Sequence, residues 1–334
     1  MRAPAWCLAG VLFFAAAAHT QDSESEAESL RARLSAAGAL DADGLPRPEF
    51  WSHNPDAAAR DWLNKPHIDA DDLARRPEAY AEVLAEHGLL LDMQSRSLSL
   101  RGAMRHDETT LQYPIEYLVV TETGSVHEAA VLVRAQPSVI NACLRALGSQ
   151  PGRSTLTRLK DPAPPVEAVA AGEVSKFEVL PGHGPLVDIN VSWLDDAGRA
   201  HLESLESLLI DMRTGDALQP LGWIHTGSGM ASIRQGSGRA NWYEADLNGD
   251  VIAIYLADAR VCVLERHSLD GLDDTFYTLN PARSPRQGTP VTLVIRVRDE
   301  IVPEREAIDV LELIGRAELD EAGRGSRAVG DGER

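Results

Sequence analysis

Residues 187–193 read VDINVSW and alternate apolar with polar side chains at every step. A period of two is typical of a β-strand with one buried and one exposed face, so the four apolar residues would share the buried face. The polar turn sequence DDAG follows at residues 195–198. The stretch therefore predicts a half-buried strand that ends in a turn.

The same short period recurs along much of the chain. Residues 89–93 and 97–100 predict a hairpin that turns at Ser95 and Arg96. Further strands are predicted at 115–120, 127–133, 177–180, 223–224, 243–245, 251–256 and 291–297. Residues 201–212 fit a helix or a strand.

Helices are fewer and do not alternate regularly with the strands. The clearest begins at Pro137 and ends before Gly148, with one apolar stripe between them. Residues 69–87 predict two short helices separated at Pro77. We therefore expect an α+β fold: a single β-rich domain with mostly antiparallel strands and one or two packed helices, flanked by helical or disordered segments.

The ends of the chain differ in composition from its centre. Residues 1–20 predict a signal peptide, because a short apolar run leads to small residues at Ala16 and Ala18; an uncleaved anchor is the alternative. Residues 21–66 form an acidic, proline-containing spacer whose aromatic residues would cover the domain edge or dock a partner. The remaining expected segments are a short helical part at 67–87, the domain at 88–300, an acidic amphipathic helix at 301–322 and a disordered tail at 323–334.

Composition excludes several classes of function. The formal net charge is −19, which opposes binding to nucleic acid and to anionic lipid. After the signal peptide only Cys143 and Cys262 remain, too few for an iron–sulfur cluster. Both lie in apolar runs, which favours free core thiols over a disulfide. No cofactor, and no stable membrane insertion after signal cleavage, is predicted.

His127 and Glu128 are the strongest polar candidates. Either could act as a base or as a metal ligand. Neighbours on a strand point to opposite faces, so the two would not form one ligand pair unaided. The alternative is that they fix the strand entrance by hydrogen bonds.

Residues 225–229 read HTGSG and supply the other candidates, His225 and Ser228. Glycines around a serine could let peptide N–H groups approach an anion. The order is not that of a nucleophile elbow, and a mobile loop is the simpler interpretation.

Residues 246–250 read DLNGD and superficially resemble a calcium loop. The register fails, because Val251 stands where the loop needs glycine and Ala257 where it needs glutamate. Asn248 and Gly249 predict a hairpin turn instead.

In order and spacing, four blocks of the chain resemble the YdjY-type domain of exported bacterial proteins. The blocks are IEYLVV at 115–120 leading into VHE at 126–128, GWIHTGSG at 222–229, YEAD at 243–246 before Gly249 and Asp250, and GTPV at 288–291. The resemblance covers about residues 88–298. It departs from the family pattern at Ser125, where the family has lysine before its His-Glu pair. The family has no settled activity, so the resemblance implies a domain and no reaction.

These observations favour a non-catalytic exported module of the periplasm or cell surface. It would bind an envelope protein or a small ligand. The alternative is a metal-assisted enzyme that uses His127, Glu128 and His225. A third possibility is a structural envelope protein without a small ligand.

Overall fold

Strand β7 runs over Gly184–Leu194, and the alternation that its sequence predicts is confirmed from Val187 to Val191, whereas Ser192, which was predicted to face outward, is buried. Its apolar residues Val187, Ile189, Val191 and Trp193 belong to the main core. Along its length β7 pairs with three other strands, so it lies in the middle of the largest sheet.

The computed structural model describes residues 68–105, 114–235, 238–256, 262–272 and 276–313, apart from the side chains of 233–235, 238–240 and 272. The predicted signal peptide, the spacer and the tail lie outside these residues. The first helical segment is described from Ile68 onward.

Seventeen strands occur in the described part of the chain. In chain order they are β1 Leu89–Asp92, β2 Ser97–Met104, β3 Tyr117–Val120, β4 Ala129–Val133, β5 Leu156–Leu159, β6 Phe177–Leu180, β7 Gly184–Leu194, β8 Ala200–Ser204, β9 Leu209–Asp211, β10 Trp223–His225, β11 Met230–Gln235, β12 Gly238–Tyr243, β13 Asp250–Ala253, β14 Leu264–Arg266, β15 Tyr277–Leu279, β16 Pro290–Val302 and β17 Ile308–Asp309.

Eight of these strands close into a barrel. Their order is β2, β16, β7, β10, β14, β13, β3 and β4, and β4 pairs back onto β2. The β13–β14 and β3–β4 pairs are parallel, and the other pairs in the ring are antiparallel. Strand β1 adds to β2, and β8 adds to β7.

The closed barrel shows that the predicted fold class was wrong. The chain is mostly β, and it is not an α+β domain with one or two packed helices. Local periodicity identified many of the strands. Closure depends on pairing between strands far apart in sequence, and no local pattern reports that pairing.

The helices among the described residues are short. They are α1 Ala70–Arg75, α2 Ala81–Glu86, α3 Pro137–Ala146, α4 Val166–Ala170 and α5 Glu244–Asn248. Helix α3 begins at Pro137 as predicted, and its apolar stripe joins the main core while α1 lies against it. The predicted break at Pro77 is confirmed by a 3₁₀ turn between α1 and α2.

Two further predictions need correction. Residues 301–313 contain the end of β16 and strand β17, with helix only at 310–313, so most of the described part of the predicted terminal helix is not helical. Gly249 ends helix α5 and does not connect two hairpin strands. The ambiguous residues 201–212 form β8, a 3₁₀ turn and β9.

Candidate functional site

His225 is the last residue of β10, and its ring is completely buried. Ser149 Oγ lies 2.9 Å from its Nδ1, and Asn141 Oδ1 lies 3.0 Å from its Nε2. The amide oxygen that faces Nε2 favours the tautomer in which Nε2 carries the proton and Nδ1 is the acceptor. Asn141 lies on α3 and Ser149 just beyond its end, so the histidine joins this helix to the barrel wall.

The surroundings of His225 keep its ring neutral. Burial lowers the pKa of His225 to about 3, because the apolar interior disfavours an imidazolium. Ser149 is also fully buried, and its backbone N–H donates to Leu144. The Ser149–His225–Asn141 set therefore anchors α3, with both ring nitrogens engaged inside the protein.

The segment after His225, for which anion binding was one hypothesis, uses several of its polar groups in contacts within the protein. The backbone N–H groups of Thr226 and Gly227 both donate to the carbonyl of Val263, and the Tyr243 hydroxyl donates to the Gly227 carbonyl. Ser228 Oγ accepts from the backbone N–H of Ala245 at 3.1 Å. The Thr226 and Gly227 N–H groups, which a bound anion would need, are thus used to join β10 to β14, and the Ser228 hydroxyl joins the segment to α5.

Gly227 is required where this loop crosses the segment after α3. Its φ of 77° lies in the left-handed region, and an added Cβ would stand 2.4 Å from Pro151 Cβ. The glycine in the HTGSG block thus has a packing explanation, and so does the nearby Pro151-Gly152 pair. Gly152 donates its backbone N–H to the carbonyl of His225 at 2.9 Å.

His127 and Glu128 lie in a 3₁₀ turn that precedes β4. The expectation that their side chains diverge, as on a strand, was wrong: His127 Nε2 lies 2.9 Å from Glu128 Oε1. The imidazole is 78% exposed. No cluster of three metal-ligating side chains occurs among the residues that the structure describes.

The structure gives His127 and His225 different environments. The first is exposed on the turn before β4, and the second is buried at the end of β10. In the ring, β4 lies between β3 and β2, whereas β10 lies between β7 and β14. The hydrogen bonds and ion pairs of the described residues do not join His225 to the His127–Glu128 pair.

The carboxylates of the calcium-like segment hold other elements. Asp246 Oδ1 accepts the backbone N–H of Ser138 at 2.8 Å, in the first turn of α3. Asp250 Oδ1 accepts the backbone N–H of Ser125 at 2.9 Å. The two carboxylates thus connect α5 to helix α3 and β13 to the segment between β3 and β4, which accounts for their presence without a cation.

Sequence reasoning missed a buried carboxyl on β14. Glu265 accepts both the backbone N–H and the hydroxyl of Thr155, at 2.9 to 3.1 Å. Burial raises the pKa of Glu265 to about 7, although the Thr155 bonds and the charge of Arg153 oppose the rise. A Cβ at Gly182 would stand 1.8 Å from Glu265 Oε1, so this carboxyl fits only under a glycine. The sequence feature that could have indicated this buried carboxyl is the apolar run at 261–264, which leads directly into two charged residues.

An exposed strand edge is the clearest surface feature of the described residues. The small sheet has the order β17, β6, β5, so β5 is an edge, and all four of its residues are exposed. Leu159 is 62% exposed and lies opposite Phe177, which is 37% exposed. We call Leu156–Leu159 the β5 edge.

The two cysteines are buried thiols that form no disulfide with each other, as expected. Burial raises the pKa of the Cys143 thiol well above its usual range, so this thiol is unreactive. No helix within the described ranges is long and apolar enough to cross a membrane.

Comparison with known proteins finds no matching family model, curated protein or solved structure. The resemblance to YdjY-type domains therefore stays a prediction.

Proposed function

We propose that this chain is a non-catalytic exported binding module of the cell envelope, and that its partner is a protein that adds an extended segment to the β5 edge. The observation that carries the proposal is an accessible edge strand with large exposed apolar side chains. Edge addition of this kind supplies affinity through main-chain hydrogen bonds and specificity through alternate side chains.

The hydrogen-bond register shows which peptide groups of β5 point outward. The backbone N–H of Lys160 donates to the carbonyl of Lys176 at 2.9 Å. Because hydrogen-bonded pairs alternate along an antiparallel ladder, Arg158 and its partner on β6 form the next such pair. The peptide groups of Thr157 and Leu159 therefore face away from β6, toward a strand that could add there.

The side chains of β5 give the edge little protection against such a strand. Proteins commonly block edges with lysine, proline or a bulge. Here Arg158 is directed to Glu178 on the neighbouring strand, with Nε 2.8 Å from Oε1. Leu159 and the facing Phe177 offer an apolar surface for a residue of the incoming strand.

The β5 edge is also held firmly on the domain. Val179, in the middle of β6, is 1% exposed. Lys160 and Asp309 form an ion pair that joins the end of β5 to β17, and Asp309 also accepts the backbone N–H of Ser175. A fixed edge loses little conformational entropy when a partner strand binds.

The test uses proline to remove one outward donor. In Thr157→Pro the lost N–H faces away from β6, so the β5–β6 ladder remains while a partner strand loses its first bond. A photo-crosslinker at Leu159 in the exported protein in its host cells should capture a defined protein. We expect capture to fall at least tenfold in Thr157→Pro and to persist in the matched control Thr157→Ala.

One further control and two contradicting outcomes make the result decisive. A crosslinker at Leu202, 38% exposed on β8, should not capture the same protein. Equal capture by Thr157→Pro and Thr157→Ala would contradict the proposal. A dimer of this chain that Thr157→Pro dissociates, without capture of any other protein, would also contradict it, because the occupant would then be a second copy.

A further inference from the structure

A second, independent feature is a buried polar cluster where β10 and β14 meet the β9–β15 ribbon. It comprises Trp223, Arg266 and Tyr277, which we call the Arg266 cluster, with Glu206 beside it. All four residues are buried, at 0%, 5%, 3% and 3% exposure respectively. A buried arginine is unusual, because its guanidinium remains charged at every physiological pH.

Strand register places Arg266 on the same face of the sheet as Trp223. Trp223 and Arg266 are direct partners across β10 and β14, so their side chains share a face. Two residues earlier on β14, Leu264 belongs to the main core, as Trp223 does. The Tyr277 ring comes from the β9–β15 ribbon, and its centroid lies 5.2 Å from Arg266 Cζ.

Four side-chain polar atoms of this cluster lack hydrogen-bond partners. Arg266 Nε and Nη1, Trp223 Nε1 and the Tyr277 hydroxyl are all fully buried, and none has a partner in the structure. An unsatisfied buried donor lowers the stability of the fold, and a charged one lowers it more. The contact with the Tyr277 ring offsets part of the charge and none of the missing hydrogen bonds.

Glu206 does not supply the missing partner. Its carboxylate accepts the backbone N–H of Gly222 at 3.2 Å. No ion pair within 4.0 Å joins it to Arg266 among the described residues, although the two charges attract. Burial raises the pKa of Glu206, so the interior also opposes its negative charge. Two guanidinium nitrogens, Nε and Nη1 of Arg266, are therefore left without an acceptor.

We propose that the Arg266 cluster binds a small carboxylate anion, with Arg266 as the cationic ligand and Trp223 and Tyr277 as neutral donors. A carboxylate supplies acceptors for the guanidinium N–H groups and neutralises its charge, whereas a water molecule can accept a hydrogen bond but carries no negative charge. The anion is small because the apolar core surrounds the cluster. The proposal stands independently of the β5 edge.

The test asks whether the purified full chain holds or gains such an anion. Native mass spectrometry would detect a resident acid as mass in excess of the polypeptide. Calorimetric unfolding would then be followed in formate, acetate or phosphate against chloride at equal ionic strength, after long equilibration because the site is closed. We expect the Tm to rise with acetate or formate concentration, as mass action requires for a ligand of the folded state.

Variants separate a built site from a general ion effect. Tyr277→Phe keeps the ring and removes the hydroxyl, and it should weaken acetate binding about tenfold. Arg266→Gln should abolish binding, while Arg286→Gln, at a side chain 76% exposed, should bind as the unchanged protein does.

Three results would overturn the proposal. The first is that no resident acid is found and the Tm rises no more than in chloride, which indicates buried water only. The second is an equal Tm shift in Tyr277→Phe and the unchanged protein, and the third is a Tm response to phosphate alone. Should Arg266→Gln fail to fold, Tyr277→Phe still decides.

Discussion

At the scale of single residues, Glu265 links pH to stability. Burial raises its pKa from 4.5 to about 7, so between these values the folded chain binds more protons than the unfolded chain. The unfolding free energy therefore falls as pH rises through this window, by roughly 3 kcal/mol for a shift of this size. We expect Glu265→Gln, which carries no charge, to lose this dependence, as measured by urea unfolding at pH 4 to 8.

The quantity to compare is the difference in unfolding free energy between the variant and the unchanged protein at each pH. His225 titrates in the opposite sense, because burial lowers its pKa to about 3 and unfolding becomes easier as pH falls below 6.5. The difference cancels this contribution, which both proteins share. Glu300→Gln, at a side chain 70% exposed, is the control and should give a flat difference. A flat difference for Glu265→Gln as well would show that the buried carboxyl does not titrate in this window.

At the scale of elements, α3 is positioned by groups from outside its own segment. The side chain of Gln136, which precedes the helix, makes no capping hydrogen bond to it. Asp246 of α5 accepts the Ser138 N–H instead. Loss of a helix cap typically costs about 0.5–2 kcal/mol. We expect Asp246→Ala to lower the unfolding free energy by that amount in urea titrations. Asp246→Asn keeps an acceptor oxygen, so it should retain most of the stability that the cap provides.

The control for the cap is Asp71→Ala, which removes an exposed carboxylate from the first turn of α1. It should change the unfolding free energy by less than about 0.5 kcal/mol. If Asp246→Ala were as mild, α3 would not depend on α5, and the bond would be a surface contact of little weight.

At the scale of the whole molecule, sequence reasoning identified pieces better than their assembly. The β7 alternation and the start of α3 are local patterns, and both were predicted. His225 was also nominated from its motif. Its partners Ser149 and Asn141 were not, because they lie 76 and 84 positions away and carry no local signal of contact. Barrel closure escaped for the same reason, since the β2–β4 pairing that completes the ring follows from tertiary packing alone.

Closure makes a strong prediction at Gly102, where β2 meets β4. An added Cβ there would stand 2.7 Å from the Leu132 carbonyl oxygen and 2.9 Å from Val131 Cγ1. Overpacking of this kind costs about 1–3 kcal/mol. We expect that loss of unfolding free energy in Gly102→Ala by urea titration, with tryptophan fluorescence and far-ultraviolet circular dichroism reporting one shared transition. Ser99→Ala on the same strand should be nearly neutral. In an open sheet without the β2–β4 contact, alanine would fit the strand better than glycine, so a neutral or stabilising Gly102→Ala would show that the barrel is not closed.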